Sequence, residues 1–131
     1  IKNFADFNSL LKKSDFLSLH VPLTKETAEI INSSAISKMK NGAYIINTAR
    51  GGLINEVDMR AALDSGKISG YAADVLSQEP MSPDCPLLNA PNCVLTPHIA
   101  WASPETRARL LKIAVTNFES YLKGDVQNSI C

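Results

Sequence analysis

Five side chains could do acid–base or anion-binding work together: His20, Arg50, Asp74, Glu79 and His98. Thirty residues separate His20 from Arg50, twenty-four separate Arg50 from Asp74, and twenty-four more lead to His98. Each step is about one strand plus its crossover, the spacing of a repeated βα unit. Arg50 stands between Ala49 and Gly51-Gly52. Its planar fork suits a carboxylate, and two glycines would let the backbone turn sharply beside a ligand. A surface arginine capping strand ends is the plainer alternative. His98 follows the stiff Pro97 and precedes Ile99, Ala100 and Trp101, where an imidazole is more often a satisfied core or interface group than a catalyst. A carboxylate within reach would fix its tautomer, as a general acid requires, and Glu79 or Asp74 could supply it. Glu79 could also be a solvated loop acid. A buried Asp74 needs a hydrogen-bond donor from protein or ligand.

The elements that must position these groups are four short, nearly continuous apolar runs: Phe16 to Val21, Ala43 to Ile46, Tyr71 to Leu76 and Cys93 to Thr96. Without clean alternation, they suit strands covered on both faces of a parallel sheet. Helix punctuation lies between them. Asp6 can cap a helix through Leu10 and Leu11. Ser33 or Ser34 can cap Ala35 to Lys40, with Asn41-Gly42 as a left-handed stop, and Asn55 can cap a helix that Gly66 ends. Alternating strands and helices imply right-handed crossovers, so the polar groups ending each run should emerge along one carboxyl edge, where open α/β sheets bind ligands. Ser103-Pro104-Glu105 opens a longer helix that carries Leu110, Leu111, Ala114, Val115, Phe118, Tyr121 and Leu122 on one stripe up to Gly124, and that face should be buried.

Composition narrows the classes. Thirteen basic and thirteen acidic residues give no net charge, and no Lys/Arg run is present. Nucleic acid and anionic membranes, which need a concentrated basic surface, are not expected partners. No apolar run approaches the roughly 18 residues of a spanning helix, and Ile1-Lys2-Asn3-Phe4 does not read as a signal peptide, so the expectation is a soluble, cytoplasmic protein. Cys85, Cys93 and Cys131 are odd in number and lack metal-site spacing, which predicts free thiols and no bound metal. The G-x-S-x-G, H-E-x-x-H and G-x-G-x-x-G motifs are all absent.

Taken together, Ser14-Asp15, His20-Val21-Pro22-Leu23-Thr24, Ile46-Asn47-Thr48-Ala49-Arg50-Gly51-Gly52, Asp74-Val75, Glu79-Pro80 and Thr96-Pro97-His98-Ile99-Ala100-Trp101 resemble the D-isomer-specific 2-hydroxyacid dehydrogenases over almost the whole chain. The runs Asp74 to Pro80 and His98 to Trp101 look most like the glycerate dehydrogenases, also called hydroxypyruvate reductases. The resemblance implies an α/β fold: the parallel-sheet second half of a Rossmann, NAD-binding domain over residues 1–102, then a long C-terminal helix and tail over 103–131. It implies that Arg50 holds the carboxylate of a small 2-oxo or 2-hydroxy acid and polarises its carbonyl, that His98 carries the proton, and that Glu79 pairs with His98. NAD or NADP would lie against His20, Val21, Pro22, Thr27, Thr48, Ala49, Arg50, His98 and Ala100, with Asp74 on the carboxamide and Trp101 bordering the pocket. A homodimer is implied for the full-length protein.

The chain departs from the family in lacking the glycine-rich phosphate loop, the acidic ribose ligand and the substrate domain. It therefore reads as the C-terminal part of such an enzyme, expected to bind dinucleotide weakly, to turn over nothing alone and to leave sheet edges open. The alternative from another class is a dinucleotide-sensing binding protein similar to the C-terminal-binding corepressors. Formate dehydrogenases also resemble this family, but they generally carry glutamine where Glu79 stands.

Overall fold

The computed structural model describes residues 5–129. Ile1 to Phe4, read above for targeting, and Cys131, read as a free thiol, lie outside the described residues. The chain divides into two units, Ile1–His98 and Ile99–Cys131.

The first unit runs α1 (Phe7–Lys13), β1 (Phe16–Leu19), α2 (Ser33–Lys38), β2 (Ala43–Asn47), a 3-10 turn (Gly51–Leu53), α3 (Glu56–Asp64), β3 (Ile68–Ala73) and β4 (Cys93–Leu95). The strands form one sheet in the order β1-β2-β3-β4, and every pairing is parallel. Asp6 and Asn55 cap α1 and α3 as expected, accepting from the N–H groups of Ser9 and Asp58 at 3.0 Å each. The cap of α2 is Asn32 rather than a serine: its Oδ1 accepts from Ala35 N and its Nδ2 donates to the Glu29 carbonyl. This helix also ends earlier than expected, at an extended Met39, so the positive φ of Gly42 serves the turn into β2.

Two further expectations are corrected. The strands are covered on one face only. Leu17, Leu19, Ala43 and Ile45 point inward to a cluster with Leu11, Ala35, Ile36, Met59, Ala62 and Leu63, while Phe16, Tyr44 and Val94 stay exposed on the other face. With one hand of crossover and a sheet order that never reverses, all connecting helices fall on the same side. The third strand begins at Ile68, three residues before its apolar run, and stops short of Asp74. Its pairing with β2 shifts between Ala43 and Tyr44, so that Ala43 pairs with Ile68 but Tyr44 pairs with Gly70. That irregularity lets Ile68 and Tyr71 both face the core, which strict alternation forbids. Gly70 is required beneath the Tyr44 ring, since a Cβ there would sit 2.8 Å from Cδ1.

In the second unit, Ser103 caps α4 (Pro104–Leu122) by accepting from Thr106 N, and Gly124 takes a positive φ just beyond it. No residue of α4 is buried, contrary to the expected covered stripe. An apolar stripe needs a facing surface. Among the described residues this unit has no other helix or strand to provide one.

Candidate active site

Apart from Thr27, the expected site residues of the first unit lie at or just beyond the carboxyl ends of the parallel strands, and they gather in two hollows. One, of about 720 Å³, is lined by His20, Val21, Pro22, Leu23, Thr48, Ala49 and Arg50 from the loops after β1 and β2. The other, of about 400 Å³, is lined by Asp74, Leu76, Glu79, Pro80, Met81, Thr96, Pro97 and His98 from the loops after β3 and β4. Because β2 and β3 are neighbours, the hollows sit side by side along one edge.

In the second hollow the groups are already joined. His98 Nδ1 lies 2.7 Å from Glu79 Oε2. The other carboxylate oxygen, Oε1, accepts from Leu76 N at 3.0 Å. The His98 bond and then the Leu76 N–H hold the Glu79 carboxyl below the ordinary glutamate value of 4.5. Glu79 is then ionised near neutral pH and can only accept, so Nδ1 must carry the proton of this bond. His98 has φ 55°, a left-handed conformation uncommon for residues with a side chain and frequent where a group is held for a task. Asp74 stands just past the end of β3 rather than inside it. It is buried, accepts from the Thr96 hydroxyl, and its N–H donates to the Asn47 carbonyl.

The first hollow is shaped by Asn47, a fully buried residue to which the sequence reading gave no role. Its Nδ2 donates to the Arg50 carbonyl at 2.9 Å and its Oδ1 accepts from Ala49 N at 3.0 Å, folding Asn47 to Arg50 into a tight turn. An asparagine at a strand end, three residues before an Arg-Gly-Gly, was the available signal. Arg50 is exposed, and its Nη1 donates to the Ala49 carbonyl at 2.6 Å. Gly51 has a reason other than the sharp turn expected: a Cβ there would lie 1.9 Å from the Leu76 carbonyl carbon. His20 Nε2 lies 2.8 Å from Ser18 Oγ. Thr27 does not line this hollow. Its hydroxyl donates to the Pro22 carbonyl and accepts from Thr24 N, bracing the loop that carries Val21 and Pro22. Ala100 and Trp101 fall in the second unit, where the Arg107 guanidinium lies 5.7 Å from the Trp101 ring centroid.

Comparison with known proteins decides the family. Residues 1–100 match the model described as D-isomer specific 2-hydroxyacid dehydrogenase, NAD binding domain. The chain belongs to this family. It is 48% identical over 127 residues to a hydroxypyruvate reductase of Blautia hydrogenotrophica, covering 97% of this chain and 39% of the relative. Among solved structures it is similar to a glyoxylate reductase from Paecilomyes thermophila, with 37% identity, a TM-score of 0.86, and coverage of 96% of this chain and 38% of that one. A D-lactate dehydrogenase from Aquifex aeolicus complexed with NAD and lactic acid is 36% identical with a TM-score of 0.77, over 92% of this chain and 41% of that one. The chain thus spans about two fifths of the length of the relatives it matches.

Proposed function

We propose that the whole protein reduces a small 2-oxo acid of the hydroxypyruvate or glyoxylate type to the D-2-hydroxy acid. The observation that carries this reading is the 2.7 Å bond between His98 Nδ1 and Glu79 Oε2 at the carboxyl edge of a parallel sheet. A histidine oriented by an ionised carboxylate is the arrangement that protonates an oxygen gaining negative charge. A guanidinium in the neighbouring hollow suits both the acid's carboxylate and its polarised carbonyl.

The first hollow fits the nicotinamide side of a dinucleotide, with aliphatic walls of Val21, Pro22, Leu23 and Ala49 beside the polar His20, Thr48 and Arg50. When bound, that cofactor supplies the hydride. His20, Val21, Pro22, Thr48 and Ala49 would hold it, Thr27 would do so indirectly by bracing their loop, and Asp74 offers an acceptor for an amide N–H₂. Arg50 would turn from the Ala49 carbonyl to the substrate, and His98 would give a proton from Nε2 to the carbonyl oxygen. Glu79 keeps Nδ1 protonated and stabilises the ring's positive charge before transfer.

In this reading residues 1–102 are the second half of an NAD-binding domain. Free Cys85 and Cys93 suit a reducing compartment such as the cytoplasm. A homodimer follows from the family likeness alone. The deciding experiment follows oxidation of NADH and NADPH by the whole protein with hydroxypyruvate, glyoxylate and pyruvate as acceptors. Acceptor-dependent oxidation abolished by His98→Gln is expected, and no oxidation with any 2-oxo acid overturns the proposal.

A further inference from the structure

The loop that carries Arg50 and the loop that carries Glu79 are locked to each other through one peptide unit, Leu76 C=O to Ser77 N–H. Gly51 presses on one side of it: a Cβ there would lie 1.9 Å from the Leu76 carbonyl carbon, 2.0 Å from its oxygen and 2.4 Å from Ser77 N. Glu56, in the first turn of α3, grips the same peptide: its Oε1 accepts from Ser77 N at 2.8 Å. Its second oxygen takes the Cys85 thiol at 3.8 Å. One turn along, Arg60 donates from Nη1 to the Pro86 and Leu88 carbonyls at 3.1 and 3.2 Å. The loop from β3 to β4 is thus held by α3 at both ends.

The preceding N–H in that loop, of Leu76, is the one that fixes Glu79 Oε1 and leaves Oε2 to His98. The contacts therefore form one chain, from Glu56 through the Ser77 peptide, the Leu76 N–H and Glu79 to His98. Arg50 adjoins the same peptide through Gly51. We propose that Glu56 is a positioning residue: it sets the spacing between the guanidinium and the His98–Glu79 pair by reach, and its charge is secondary. This deepens the 2-oxo acid reductase reading and rests on it. A first-turn acid also suits a helix N-terminus through charge alone, and the two roles predict opposite rankings of the conservative variants.

Glu56→Gln keeps the reach and an acceptor oxygen but loses the charge, whereas Glu56→Asp keeps the charge and loses one methylene of reach. In the whole protein, kcat/KM for the 2-oxo acid should fall about tenfold in Glu56→Asp and stay within about threefold of wild type in Glu56→Gln, since misplacements below 1 Å already slow a reaction. The second readout needs no turnover: the hydrogen-bonded Nδ1–H proton resonance of His98, followed at low temperature, which should broaden or shift in Glu56→Asp and persist in Glu56→Gln. Glu56→Ala should behave as Glu56→Asp does, and it replaces that variant if Asp does not fold. An unmoved His98 resonance in both Asp and Ala, or loss in Gln with retention in Asp, overturns the proposal. If the resonance responds as expected while the wild type oxidises NADH with no 2-oxo acid, the positioning role stands and the assigned reaction falls.

Discussion

The two hollows differ in how finished they are. After β3 and β4, His98 and Glu79 already share a 2.7 Å bond, with the second carboxylate oxygen fixed by a backbone N–H. After β2, the Arg50 guanidinium donates to the carbonyl of the residue before it. The chain's own contacts thus assemble the His98–Glu79 pair but leave the Arg50 fork turned onto its own backbone. A proton donor must be oriented before substrate arrives, because its tautomer decides whether it can act. A flexible cation can be recruited by the anion it binds.

The largest expected effect breaks the finished hollow. His98→Gln in the whole protein should lower kcat for reduction of the 2-oxo acid by about 10²–10⁴, the usual loss for a positioned acid, with a smaller change in KM. Steady-state kinetics check this, and a loss confined to KM would remove His98 from proton transfer. Gly51→Ala comes next, because it strikes the peptide both hollows share. With a Cβ 1.9 Å from the Leu76 carbonyl carbon, the backbones must separate. A fall of about 10² in kcat/KM is expected, together with a lower melting temperature. Gly52→Ala, which meets only the movable Leu23 side chain at 2.9 Å, should cost much less. Arg50→Lys is the third. It keeps the charge and loses the fork, so kcat/KM should drop about tenfold, mainly through KM if the fork's chief task is holding the carboxylate.

How much of this was legible in the sequence follows the same division. Residues that act through local contacts were readable: Asp6, Asn55 and Ser103 cap their helices as their types predict, and the polar groups after each apolar run lie along one sheet edge. What was missed depends on partners distant in the chain. The start of β3 was hidden because its irregular pairing with β2 breaks the alternation that a run of apolar residues advertises. The role of Gly51 was misread as turn geometry because the carbonyl that excludes a side chain there belongs to Leu76, twenty-five residues away. The bare sheet face and the uncovered α4 stripe could not be foreseen from apolar content. Composition records the need for cover, and topology decides whether this stretch of chain supplies it.

The smallest effect sharpens the comparison without any turnover. Glu79 is held below its ordinary value of 4.5 first by His98 and then by the Leu76 N–H, so its side-chain carboxyl resonance should titrate with a midpoint under 4.5. In His98→Gln the midpoint should rise but stay short of the ordinary value, since Leu76 still donates. The sign for stability follows. A carboxyl whose folded value is depressed stabilises the fold above its unfolded value, and that contribution is lost as pH falls through the folded one. At roughly two-fifths side-chain exposure for both partners, solvent screening keeps the contribution small. Melting temperatures of wild type and Glu79→Gln should therefore differ slightly near neutrality and converge in acid. A Glu79 midpoint at or above 4.5 would mean that the pair forms only once substrate binds, and the two hollows would then be alike in waiting for their ligand.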